Sequence, residues 1–74
     1  MIRINLKQKL LEKAAEDGNS LTIDEVAEAC GISRITLLRI KSDPLRPTKT
    51  DIIDKLCKYF KCPIEDILTF EDED

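Results

Sequence analysis

LTIDEVAEACGISRITLLRI, residues 21–40, is the stretch that decides the fold. Thr22-Ile23-Asp24-Glu25 is a capping box: the Thr22 hydroxyl can accept from the Glu25 amide, and the Glu25 side chain can reach back. Leu21 precedes the cap and can staple against Val26. A helix over Ile23–Cys30 follows, with Val26, Ala27 and Cys30 inward. At about eight residues it is too short to be stable alone and must pack on a neighbour. Gly31 ends it. Ser33 opens the next helix after a break of only Gly31-Ile32, with Ile32 as the buried anchor of the turn. Leu37 and Ile40 share the inward face of that helix. Asp43-Pro44 closes it, because a residue before proline is pushed out of helical geometry. Two short helices joined by a minimal glycine turn are the sequence form of a helix-turn-helix.

Outward from this unit the pattern stays helical. Leu6, Leu10, Leu11 and Ala14 fall on one face of a first helix, with Asn5 as its N-cap and Asp17-Gly18-Asn19-Ser20 as its stop. After a loop over Leu45–Lys49, Thr48 or Thr50 caps a helix of roughly Asp51–Phe60 with the stripe Ile52, Ile53, Leu56, Cys57 and Phe60. Cys62-Pro63 breaks it, and a short last helix over Ile64–Leu68 presents Ile64, Ile67 and Leu68. At the ends, Ile2-Arg3-Ile4 and Leu68-Thr69-Phe70 alternate with period two. Antiparallel pairing of these ends, within one chain or between two, would satisfy their backbone groups and lay Ile4 and Phe70 over the helical core. The fold class is all-α, five short helices with a short strand at each terminus. One domain spans residues 1–70, and residues 71–74 form an acidic, solvated tail.

The chain has 74 residues, with 42% hydrophobic and 36% charged, and only two glycines and three prolines. Such a length buries only about 60% of the unfolded surface and leaves no room for a large enclosed active site. The net charge is −3, which weighs against a nucleic-acid binder. Its distribution changes that reading. Removing the four acids Glu71, Asp72, Glu73 and Asp74 from −3 leaves +1, and Arg34, Arg39, Lys41, Arg46 and Lys49 face only Asp43 across residues 31–50. A segregated chain can attract phosphates locally. Cys30, Cys57 and Cys62 are an odd set without histidine, so they read as reduced thiols packed as small apolar residues and no metal site is expected. The missing histidine and glycine-rich loop also remove the usual general base and phosphate cradle, so no enzyme and no cofactor are expected. No apolar run approaches a membrane span and no signal peptide is present, which points to the cytoplasm.

Residues 21–40, through Val26-Ala27, Gly31-Ile32-Ser33, Thr36-Leu37 and Ile40, resemble the helix-turn-helix of the Cro/repressor-type (XRE) transcriptional regulators. Arg46-Pro47-Thr48 is similar to the loop after that family's recognition helix, and residues 56–68 are similar to its last two helices. The resemblance implies a lambda-repressor-like DNA-binding domain. It implies that Ser33 and Arg34 meet phosphate or the first base edges. Ile35, Leu38 and Arg39 would face the major groove, with Thr36 at its margin. Arg46, Lys49 and the backbone around Thr48 would hold the far phosphates, and Lys41 can neutralise another. Leu21, Val26, Ala27, Ile32, Leu37, Ile40, Ile53, Leu56 and Phe60 would be core. Three departures stand out: Ile23 replaces the family's frequent phosphate-binding glutamine, Ile35 and Leu38 replace polar groove readers, and the link from Ala14 to Leu21 is long.

The function these features point to is a sequence-specific transcriptional regulator, a repressor that occupies its operator as a homodimer on double-stranded DNA. The alternative is a protein-interaction module on the same fold, an antitoxin or adaptor, with a protein partner held through Ile35 and Leu38.

Overall fold

A computed structural model describes residues 1–18 and 21–72 of the chain. The elements run β1 (Ile2–Ile4), α1 (Leu6–Asp17), α2 (Ile23–Cys30), α3 (Arg34–Ser42), α4 (Thr50–Phe60), α5 (Ile64–Ile67) and β2 (Leu68–Phe70). Among the described residues, no helix is long and apolar enough to cross a membrane.

Local chemistry sets the ends of α2. Thr22 Oγ1 accepts from the Glu25 amide at 3.1 Å. Gly31 adopts φ 72°, where its amide donates to the Ala27 carbonyl, and that left-handed conformation favours glycine. The described residues show no return bond from the Glu25 side chain to Thr22, so half of the expected capping box forms. Of two other expected caps, one stands in place without a cap bond and one is corrected. Asn5 occupies the N-cap of α1 but makes no side-chain cap bond. Its amide Nδ2 donates instead to Thr69 Oγ1 at 2.9 Å and to the Asp66 carbonyl at 3.3 Å, because the sheet brings the chain end within reach. Lys49, and neither Thr48 nor Thr50, is the N-cap of α4, and no side chain caps that helix. The expected stop of α1 includes Asn19 and Ser20, which lie outside the described residues; Gly18 takes the left-handed conformation at its start.

The terminal strands pair antiparallel within the chain, with Ile2 opposite Phe70, Arg3 opposite Thr69 and Ile4 opposite Leu68. The Glu71 amide donates to the Met1 carbonyl at 2.6 Å and the Asn5 amide to the Ile67 carbonyl at 2.7 Å, which extends the ladder at both ends. The Ile4 amide on the outer edge donates to the Pro44 carbonyl at 2.8 Å, so the loop after α3 is stitched to the sheet. Glu71 is held at the sheet: its carboxylate pairs with the Arg3 guanidinium. That hydrogen bond, with the guanidinium's charge, holds the Glu71 carboxyl below its ordinary range.

Nine apolar side chains form the core: Ile4, Leu6, Val26, Ile32, Leu37, Ile40, Ile53, Leu56 and Ile67. Leu21, Ala27 and Phe60, also expected there, are half-buried against it. Three expected inward residues are exposed. Leu11 is 64% exposed, because it lies about 100° of helix rotation past Leu10, beyond the stripe that α1 turns inward. Ile64 is 55% exposed, since the single turn of α5 fully buries only Ile67. Phe70 is 75% exposed although it shares a sheet face with Ile4 and Leu68. Ile4 and Leu68 face the core, Ile2 lines a cleft with Pro47, Thr48 and Ile53, and Phe70 is the most open of the four.

Candidate nucleic-acid interface

Ser33 starts the helix that carries the site. Its Oγ accepts from the Thr36 amide at 3.1 Å and lies 2.7 Å from Thr36 Oγ1, so both hydroxyls are engaged at the helix start. Leu37 and Ile40 are buried and pin α3 to the core. At about 100° per residue the opposite face must then present Ile35, Leu38, Arg39 and Ser42. Ile35 is 61% and Leu38 37% exposed, and Arg39 is exposed between them and the loop that follows. Ser42, which the sequence reading did not single out, turns its hydroxyl back to the Leu38 carbonyl at 2.9 Å and so offers no free donor outward.

The two flanks of this face differ. On one side a shallow cleft of about 400 Å³ is lined by Thr36, Arg39, Arg46, Pro47, Thr48 and Lys49. Five of the ten expected site residues therefore converge where α3 meets the loop before α4. Asp51, in the first turn of α4, is the acid in that cleft. Lys41 is not there. It lies on the opposite flank, beside α1, lining a cleft with Lys7 and Leu11. Ser33 and Arg34 stand at the start of α3, where Arg34 Nε is 2.8 Å from Asp24 Oδ1 of α2. Lys7 and Asp24 were not read as site residues. Charge periodicity places Lys7 on the polar face of α1, but only the packing of α1 beside α3 shows that it joins Lys41.

The arrangement offers cations and exposed methyl groups. Cys30, Cys57 and Cys62 are free thiols, half-buried. Burial pushes all three thiols above their ordinary range, which keeps them protonated and weakly nucleophilic at neutral pH. No group of three or more potential metal ligands is found among the described residues. The helical face with basic residues on both sides has the form needed to enter a groove about 12 Å wide between two phosphate strands.

A family model for the Cro/C1-type helix-turn-helix DNA-binding domain matches residues 9–73. No curated protein matches the chain.

Proposed function

The chain belongs to the Cro/C1-type helix-turn-helix DNA-binding domains, and from that premise we propose that it is a sequence-specific transcriptional regulator whose α3 enters the major groove. The observation that carries this reading is the convergence of Thr36, Arg39, Arg46, Thr48 and Lys49 beside the exposed face of α3. In this reading Arg39 reaches base edges from mid-helix, and Ile35 and Leu38 contact thymine methyl groups. Arg46, Lys49 and the backbone near Thr48 hold phosphates of one strand, while Lys41 holds the other. Ser33 and Arg34 meet the backbone at the start of the helix. One recognition helix reads few base pairs. Two copies about 34 Å apart would read a palindrome, so the protein acts as a homodimer. Occupying an operator that overlaps a promoter excludes polymerase, which makes it a repressor, working in the cytoplasm.

A salt titration tests the reading. The logarithm of the binding constant for duplex DNA should fall linearly with the logarithm of salt concentration, with a slope of about −0.9 for each phosphate neutralised. Absence of binding at roughly 50 mM salt, where phosphate contacts are strongest, would end it. The exposed Ile35 and Leu38 would then serve a protein partner instead.

A further inference from the structure

Asp24 is an acid in the wrong place for a face that meets a polyanion. It lies in the first turn of α2, beside the start of α3, and its side chain is exposed. A bare carboxylate there would repel phosphate. An acid in the first turn favours the helix N-terminus, but that holds for Asp24 and Glu25 alike, and only Asp24 pairs with the recognition helix; the exposed ion pair itself contributes little to stability. What it does is hold Arg34: the 2.8 Å approach is to Nε. A guanidinium is a rigid planar fork, so a carboxylate fixed at Nε also fixes the direction in which Nη1 and Nη2 point. Those two nitrogens are the pair that can bond two acceptors at once. Restricting the long side chain before DNA arrives also lowers the entropy lost on binding.

Two neighbours increase the weight on Arg34. Ile23, the first residue of α2, has no polar group to offer the backbone. Lys55, which reaches the helix-turn-helix from α4, donates its Nζ to the Gly31 carbonyl at 3.2 Å. Arg34 is the cation that α3 itself presents at this end of the unit. We propose that Asp24 is a positioning residue for DNA binding, holding Arg34 by Nε so that its terminal nitrogens face the duplex. This rests on the DNA-binding reading of α3.

The sign of one substitution tests it. Asp24→Asn removes a negative charge from the face, and charge alone would tighten binding. Positioning requires the opposite, a loss of roughly three- to tenfold, within the range of coupling between contacting residues. The probe is a duplex recovered by the wild-type protein from a randomised library, at about 50 mM salt, where phosphate contacts are strong. In an Arg34→Ala background the same substitution should leave affinity unchanged or raise it, because nothing remains to be positioned. Asp24→Glu keeps the charge and lengthens the arm, and it should also weaken binding. Circular dichroism and melting of each variant check the fold. Tighter binding by Asp24→Asn in the wild-type background, or an equal loss with and without Arg34, would overturn the proposal. Failure of the wild-type protein to recover any duplex would overturn the DNA-binding reading and this one together.

Discussion

Among the exposed apolar side chains of this small domain, two pairs have different surroundings. Ile35 and Leu38 stand on the outward face of α3, with Arg34 before them and Arg39 beside them. Ile2 and Phe70 lie at the end of the terminal sheet, Phe70 directly before Glu71 and Asp72, with Arg3 paired to Glu71 and with Arg46 in the cleft that Ile2 lines. Apolar exposure by itself does not separate them. Charge separates Phe70 from the α3 pair: acids follow it in the chain, whereas Arg34 and Arg39 flank Ile35 and Leu38, so in the DNA-binding reading a polyanion would favour the α3 pair. A thymine methyl lies within a groove bordered by phosphates, so an apolar reader works only where cations flank it.

The largest expected effect comes from placing an acid in each region. Ile35→Glu should weaken duplex binding by roughly 100-fold, since like charges forced together cost several kcal/mol. Phe70→Glu should leave binding within about twofold, because Phe70 is on the terminal sheet and not on α3, and its exposure lets the fold survive. Gel-shift or fluorescence titration of both variants decides the matter, and equal losses would erase the contrast.

Arg39→Ala comes next. Its loss should be about 1–3 kcal/mol at the preferred site and smaller on random duplexes, as expected for a side chain that reaches base edges. An equal loss on every duplex would make Arg39 a phosphate contact. It would also move the base-reading function toward the apolar pair.

A smaller, local effect distinguishes the sheet. Arg3 holds the Glu71 carboxyl below its ordinary value, so the ion pair stabilises the fold fully above the unfolded glutamate range. That contribution is lost as the pH falls through the depressed folded value. Acidification should therefore speed amide exchange at Glu71, whose amide donates to Met1, before it affects the Leu37 amide in α3. Simultaneous loss of protection would show that the sheet and α3 open as one unit.

The smallest effect belongs to the last residues. Deleting Asp72, Glu73 and Asp74 should tighten duplex binding by about twofold at low salt and have no effect at high salt, because their field reaches only about 10 Å at 0.1 M. Unchanged affinity at low salt would place the chain end out of range of the DNA. The deletion spares Glu71, which belongs to the sheet.

Much of the candidate site was legible because helix phase is a local property. Once Leu37 and Ile40 are inward, Ile35, Leu38 and Arg39 have to be outward. The flanks were not legible in the same way. Lys41 and Arg46 look alike in the sequence, yet α3 sends Lys41 toward α1 while the loop after it carries Arg46 into the cleft before α4. Asp24 and Arg34 are ten positions apart, and no helical or strand period links them. Only the turn at Gly31 brings them to 2.8 Å.

By itself the sequence determined the helix-turn-helix, through signals that act within a few residues: the Thr22 and Ser33 caps, the left-handed Gly31 and the apolar spacing of Val26, Leu37 and Ile40. It also showed that both chain ends could pair, because alternation of apolar and polar residues is local as well. Whether they pair within one chain or between two was a tertiary matter. So was the choice of Ile4 over Phe70 as the residue that covers the core. The two sit on the same face of the same sheet, and burial depends on how far the helices extend beneath it. The caps of α1 and α4 followed the same division. Asn5 stands at the N-cap of its own helix, but its side chain turns to the sheet, where Nδ2 donates to Thr69 Oγ1 at 2.9 Å and no cap bond forms.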